Sequence, residues 1–243
     1  MKIVAIIQAR MGSTRLPGKI LKKVMGKTLL EYQLERVRRA KQIDEIIIAT
    51  TEKKEDDVIV QICNQNSIRC FRGSEENVLE RYYKAGLKYH ADLIVRLTSD
   101  CPLIDPFIID RVITTYLQHN YDYVSNTIER TYPRGIDVEV FSMSILQEVY
   151  NEASTLAQRE HVTPFIYQNP IRFKLGNVRY GTNESRQRWT VDTNEDFELI
   201  SKIITLLYPT NKNFTIEDIL KLIKNNPDLE KVNSHIEQKE MEK

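Results

Sequence analysis

The chain has 243 residues, of which 41% are hydrophobic and 28% charged, the make-up of an ordinary globular protein large enough for a full core. Its 35 basic and 34 acidic residues leave a net charge near +1, which excludes the basic surplus of a general nucleic-acid binder, and no run approaches the ~20 apolar residues of a membrane span. Cys63, Cys70 and Cys101 form no CxxC pair and have no histidine at zinc-finger spacing. The expectation is therefore a reduced, cytoplasmic protein with neither a disulfide framework nor structural zinc.

Apolar runs and helical patterns alternate along the first half. Ile3–Ile7 reads as a buried strand, followed by a cationic loop with glycines and a helix over Thr28–Ala40, where Leu29, Leu30, Leu34 and Val37 share a face. Glu45–Thr50 is a strand that needs burial on both faces, Glu55–Asn64 a helix and Ile68–Phe71 a short strand. Ser74 with Glu76–Asn77 opens a helix through Lys88. Leu93–Leu97 is a further strand, and Asp105-Pro106 starts a helix to Leu117 as N-cap and first-turn proline.

The second half changes texture. Over Asn126–Phe141, Pro133-Arg-Gly135 precedes alternating Ile136, Val138 and Val140, which predicts a β excursion or hairpin. Ser142–Tyr150 and Leu156–Tyr167 read as helices, the second bent or ended near Pro164. Arg172–Arg179 and Arg188–Val191 read as strands. Thr193 or Asn194 caps a helix Glu195–Leu207, and Thr215 with Asp218 forms a capping box for the last one. Strand–helix alternation with continuously apolar strands predicts an α/β fold with a mostly parallel sheet covered on both faces. No repeat or linker interrupts the chain. The expectation is one domain over residues 1–230 with a β-rich insertion at about 126–141 and 171–190, and a polar, fraying tail over 231–243.

The most informative segment is Gln8-Ala-Arg-Met-Gly-Ser-Thr-Arg-Leu-Pro-Gly-Lys19. Residues 1–30 carry seven Lys or Arg and no acid, so the remainder holds 28 basic against 34 acidic residues. A strand feeding a cationic, glycine-containing loop is a recipe for holding phosphates, with Arg10, Arg15 and Lys19 around a triphosphate and Gly12 admitting backbone N–H groups. The five residues between Gly12 and Gly18, and Ile20 after Lys19, exclude a Walker A loop. A merely solvated basic turn is the competing reading. Ligands of such sheets bind outside the carboxyl ends of the strands, where this loop and Thr98-Ser-Asp-Cys-Pro102 both fall.

The loop resembles the N-terminal signature of the cytidylyltransferases that activate acidic sugars, among them the acylneuraminate and 3-deoxy-manno-octulosonate (KDO) enzymes, and is nearest to the spore-coat polysaccharide (SpsF-like) branch. Four further ordered matches carry the resemblance: Phe71-Arg-Gly-Ser-Glu-Glu-Asn-Val-Leu-Glu-Arg-Tyr-Tyr83, Arg96-Leu-Thr-Ser-Asp-Cys-Pro-Leu-Ile104, Arg159-Glu-His-Val-Thr-Pro164 and Val191-Asp-Thr-Asn-Glu-Asp196. The resemblance implies a three-layer, Rossmann-like α/β/α nucleotide-diphospho-sugar transferase fold, CTP as donor, a CMP-sugar and pyrophosphate as products, and a homodimer. It implies nucleotide contacts from Gln8, Ala9, Arg10, Gly12, Ser13, Arg15, Lys19, Arg72, Thr98 and Ser99. Asp100 and Asp192 correspond to the family's metal-site aspartates, implying Mg2+, with Mn2+ as an alternative. Ser99 replaces the family's usual glycine before Asp100, and Asn194 replaces its proline after Asp192-Thr.

These residues suit attack by a hydroxyl on an α-phosphate. Cationic groups, Lys19 above all, stabilise the charge, and two carboxylates suit a magnesium that also takes substrate oxygens. Asp105 and Asp110 have structural explanations as cap and early helix residue. For a small acidic sugar, Arg134 is the candidate partner of the carboxylate, although Pro133-Arg-Gly135 also reads as a plain turn. Glu139 and Gln158 are candidates for its hydroxyls, and His161 either touches the sugar or stabilises its helix. Two rivals stay open: a nucleotide-sugar-dependent glycosyltransferase, which needs no cationic loop for a full triphosphate, and a non-catalytic nucleotide-binding regulator.

Overall fold

The computed structural model describes residues 1–238. In chain order it runs β1 (Ile3–Gln8), a 3₁₀ turn (Lys19–Leu21), a small hairpin of β2 (Lys23–Val24) and β3 (Lys27–Thr28), α1 (Leu29–Val37) and β4 (Glu45–Thr51). It continues with α2 (Asp57–Gln65), β5 (Arg69–Gly73), α3 (Val78–Lys88), β6 (Leu93–Thr98) and α4 (Pro106–Gln118). The second half holds β7 (Tyr123–Ser125), β8 (Glu139–Ser142), α5 (Met143–Glu152), α6 (Leu156–His161), α7 (Pro164–Tyr167), β9 (Leu175–Asn177), α8 (Asn194–Leu207), α9 (Ile216–Asn225) and α10 (Asp228–Lys231).

Seven strands form one sheet in the order β5-β4-β1-β6-β8-β7-β9, with β8 antiparallel to both neighbours and every other pair parallel. The apolar strands dictate this arrangement, because successive side chains face opposite sides of a sheet. Ile3, Ala5 and Ile7 join a core beneath α1, α4, α8 and α9, whereas Val4 and Ile6 join a second core beneath α3, α5 and α7. A run apolar at every position has to be covered on both faces, and helices do so.

Local signals fix the helix starts. Thr28 and Glu31 form a capping box on α1, Asn77 accepts from the Glu80 N–H on α3, and Asp105 accepts from the Phe107 N–H on α4, each worth about 0.5–2 kcal/mol. Thr193 with Asp196, and Thr215 with Asp218, box the starts of α8 and α9.

The second half departs from the periodicity in instructive ways. Only Glu139–Ser142 of the alternating stretch is a strand. It pairs directly with β6 (Val95 opposite Val140), so this part of the chain extends the main sheet. The expected strand 172–179 shrinks to Leu175–Asn177. The expected strand 188–191 does not form, because its backbone bonds to two loops: the Trp189 N–H donates to the Arg134 carbonyl and the Val191 N–H to the Asp100 carbonyl. The helix over 156–167, expected to bend or end near Pro164, is interrupted as expected, at Val162 with φ 71° and ψ −55°. The expected fraying tail, 231–243, begins at the last residue of α10 and includes a buried Asn233, and its residues 239–243 lie outside the described ones.

The chain leaves β1 toward β4 and returns to its other side as β6, so the strand order switches between β1 and β6. That is where open α/β sheets place their ligand crevice. Gln8 and Thr98 are paired at the carboxyl ends of these strands, and the Ser99 N–H donates to the Gln8 carbonyl at 3.1 Å. The two loops singled out by sequence therefore leave the sheet side by side.

Candidate active site

The basic loop is folded against acids that come from far along the chain. Its start is clamped by Asp56, buried at the head of α2, whose carboxylate accepts the Met11 N–H at 2.7 Å and is also bonded by the Thr51 hydroxyl. Gly18, at φ 66°, turns the chain into the 3₁₀ helix that carries Lys19. The Lys19 ammonium then lies 2.8 Å from Asp192 Oδ1 and 3.5 Å from Asp100 Oδ2. Arg15 forms an ion pair with Asp192 Oδ2 at 3.0 Å, and Arg10 pairs more loosely with Glu75 at 3.7 Å. Gly12 lies below the Glu55 and Glu75 carboxylates, and the Ser13 hydroxyl accepts from the Leu16 N–H.

Asp100 and Asp192, 92 positions apart, meet because the chain before Asp192 is stitched to Asp100. The Val191 N–H and the Thr190 hydroxyl both reach the Asp100 carbonyl, at 2.8 and 3.2 Å. Thr98 donates its hydroxyl to Asp100 Oδ1 at 2.6 Å, and the Cys101 thiol reaches the same oxygen at 3.4 Å, leaving Oδ2 for Lys19. Burial alone would raise the Asp100 pKa, but Lys19 and the Thr98 and Cys101 bonds hold it below the usual carboxylate value. Burial pulls Lys19 down, and the two aspartates outweigh it, so its ammonium is held charged above the usual lysine value.

Among the described residues no group of three or more His, Cys, Asp or Glu could hold a metal. Two hard carboxylates converging on one cation still fit magnesium or manganese, which complete their shells with phosphate oxygens and water. The donor chemistry is right for an ion that arrives with a nucleotide.

A cavity of about 210 Å³ opens beside this centre, lined by Arg96, Thr98, Arg130, Asp137, Glu139 and His161, with Thr163 and Tyr167 on its wall. Thr98 belongs to both, lining the cavity while bonding Asp100. His161 and Thr163 are aimed by an unusual turn: with Val162 at positive φ, the Thr163 N–H donates back to the His161 carbonyl at 2.8 Å, a rare and strained γ-turn. Such strain persists only where the surroundings enforce it, and Val162 is fully buried.

The remaining candidates divide. Arg134 sits in the loop that Gly135 makes possible: at φ +97°, a Cβ there would come within 2.5 Å of the Trp189 backbone. Its guanidinium has no hydrogen-bond or ion-pair partner among the described residues, and burial with Arg130 and Arg188 nearby lowers its pKa. Gln8 accepts from Arg96 at 3.2 Å, Ala9 is buried beside Ala49, and Ser99 is buried under the Gln8 carbonyl.

Three candidates are committed to the protein itself. Arg72 spends its guanidinium on the Thr51 and Lys53 carbonyls and on Asp57, clasping the loop after β4. Glu139 is an internal counter-ion, ion-paired with the buried Arg96 and accepting from the Tyr123 and Thr163 hydroxyls at 2.5 and 2.7 Å. The Gln158 carboxamide closes the capping box of α6.

Several organising residues escaped the sequence reading: Asp56, Glu75, the Arg130–Asp137 pair, Arg188 and Asp196. The last two carried a signal, since Arg188, Asp192 and Asp196 are spaced by four. No helix among the described residues is long and apolar enough to cross a membrane.

Comparison with known proteins gives one consistent outcome. The cytidylyltransferase family model matches residues 4–235. The chain is 34% identical to the Bacillus subtilis spore coat polysaccharide biosynthesis protein SpsF, over 93% of this chain and 95% of that one. It is 32% identical to the Chlamydia trachomatis 3-deoxy-manno-octulosonate cytidylyltransferase over 56% of this chain and 54% of that one. A solved cytidylyltransferase from Leptospira borgpetersenii superposes with a TM-score of 0.92 at 35% identity, over 99% of this chain and all of the other.

Proposed function

This chain belongs to the cytidylyltransferase family, and from that premise we propose that it moves the cytidylyl group of CTP onto a hydroxyl of an acidic 2-keto sugar. The observation that carries the reading is Lys19, which joins the basic loop to both Asp100 and Asp192. A site for a full triphosphate needs such a junction. A glycosyltransferase, which starts from a diphosphate sugar, does not.

In this reading the triphosphate takes over the cations that now face carboxylates: Arg10 from Glu75, Arg15 and Lys19 from Asp192. The acceptor occupies the cavity beside Thr98, its hydroxyls within reach of His161 and Thr163, and its carboxylate reaches Arg134, which lies outside the cavity lining but near Arg130 and Asp137 on its wall. Its attacking oxygen forms a bond to the α-phosphorus, the bond from that phosphorus to the bridging oxygen breaks, pyrophosphate leaves, and the hydroxyl proton passes to solvent. Lys19 and Arg15 stabilise the charge that grows on the departing phosphates. Asp100 and Asp192 would hold a magnesium or manganese ion, which when bound offsets phosphate charge and acidifies the attacking hydroxyl.

The test is a pyrophosphate-release screen of the four nucleoside triphosphates against a panel of 2-keto sugar acids. CTP with at least one such acid should give turnover that the other triphosphates do not match. UTP or GTP outperforming CTP would overturn the base, and turnover only with neutral sugars would overturn the acceptor class.

A further inference from the structure

Arg188 and the C-terminal segment lie outside every role assigned so far, yet they reach the site. The Arg188 side chain is only 5% exposed. Its Nε donates to Asp196 Oδ1 at 2.9 Å, and its Nη2 to Asp196 Oδ2 at 3.0 Å and to Asp192 Oδ2 at 2.9 Å. Asp196 is itself fixed, accepting the Asp192 and Thr193 N–H groups at the start of α8. From the segment after α10, the buried Asn233 donates to the Arg188 carbonyl at 2.9 Å and to Asp196 Oδ1 at 2.8 Å, while Gln238 accepts from Arg188 Nη1 at 2.5 Å.

Asp196 alone would neutralise a buried arginine. Drawing in Asp192 as well has a geometric consequence, because Arg188 and Arg15 both hold Oδ2 and leave Oδ1 to Lys19, whose ammonium also reaches Asp100. Arg15 and Lys19 belong to the basic loop and turn to the phosphates when a triphosphate binds. Arg188, tied to Asp196 and Asn233, cannot follow them.

We propose that Arg188 and Asn233 are positioning residues for the Asp192 carboxylate: Arg188 keeps Oδ1 facing Asp100 when the loop cations leave, and the C-terminal segment, through Asn233, keeps Arg188 in place. This rests on the reading of Asp192 as a metal carboxylate. The probe is Mn2+ with saturating CTP and no acceptor, its affinity for the enzyme–CTP complex read by water-proton relaxation, which separates protein-bound ion from Mn2+ on free nucleotide. Thermal unfolding is followed in parallel.

Asn233→Ala and Arg188→Lys should weaken Mn2+ binding about tenfold or more, as losses behind a metal ligand do, and added Mn2+ should restore the turnover of Asn233→Ala. Asp228→Ala, on the exposed face of α10, should leave the affinity unchanged. A role in stability alone would shift the unfolding temperature without moving the Mn2+ affinity, and that result overturns the proposal. If Arg188→Lys does not fold, Asn233→Ala and the milder Asn233→Ser decide. Should Asp192→Asn bind Mn2+ like the wild type, the metal reading fails and the proposal with it. Should Asp192→Asn lose the ion while the Asn233 and Arg188 variants keep it, only the proposal fails.

Discussion

Replacing Glu139 by glutamine separates a residue that reads the acceptor from one that holds the cavity up. Glu139 and Arg96 have side chains only 10% and 12% exposed. Neutralising the carboxylate leaves the buried Arg96 guanidinium without its counter-ion: an amide oxygen and the Gln8 side chain at 3.2 Å can still accept from it, but neither offsets its charge, and its Nε already has no partner. Tyr123 and Thr163 lose a charged acceptor at the same time. Stranding one member of a buried ion pair costs about 3–5 kcal/mol. Against a total stability of about 5–15 kcal/mol, that is a large fraction, and at about 2–4 °C per kcal/mol for this size it lowers the unfolding midpoint by roughly 6–20 °C. Urea unfolding measures the loss, and the acceptor KM is determined well below the new midpoint. A loss under about 1 kcal/mol together with a large rise in acceptor KM would refute the structural assignment and return Glu139 to the acceptor.

Three further outcomes follow from the same geometry. Lys19→Met should lower the rate of pyrophosphate release about 10²–10³-fold, the cost of losing one pre-placed charge donor; activity within tenfold of wild type would remove Lys19 from the reaction. Gly135→Ala adds a Cβ 2.5 Å from the Trp189 backbone at φ +97°, so circular dichroism should show an earlier melt, and an unchanged midpoint would contradict the close approach that places Arg134. Burial would raise the Asp196 carboxyl, but Arg188, Asn233 and the Asp192 N–H outweigh it and hold it below the usual value. The folded state then binds fewer protons than the unfolded one, so this stabilisation is complete above a pH of about 4 and lost as pH falls through the lower, folded value; Asp196→Asn should flatten the acid limb of the urea midpoint against pH, and a limb as steep as that of wild type would refute it.

The α/β/α layering was legible because Ile3–Ile7 and Ile46–Ile48 are apolar at every position and Leu93–Leu97 at all but Arg96, a pattern that a doubly covered sheet satisfies. The cationic character of the N-terminal segment was legible for an equally simple reason: residues 1–30 carry seven cations and no acid. What the loop's own residues could not show is that Glu75, Asp100 and Asp192 neutralise it from afar, since which carboxylate meets which cation depends on the sheet order. The second half was harder because its backbone bonds run between loops. Val191, β-branched beside other strand formers, donates to the Asp100 carbonyl together with the Thr190 hydroxyl, and these bonds, invisible to periodicity, put Asp192 beside Asp100. The spacing of Arg188, Asp192 and Asp196 misleads in the same way: it reads as one face of a helix, yet α8 begins after Thr193. Arg188 precedes the helix, bonded to Asp196 at the first turn and to Asn233 from the far end of the chain. A polar tail expected to fray thus bonds Arg188 and Asp196, the two residues that hold Asp192 in place.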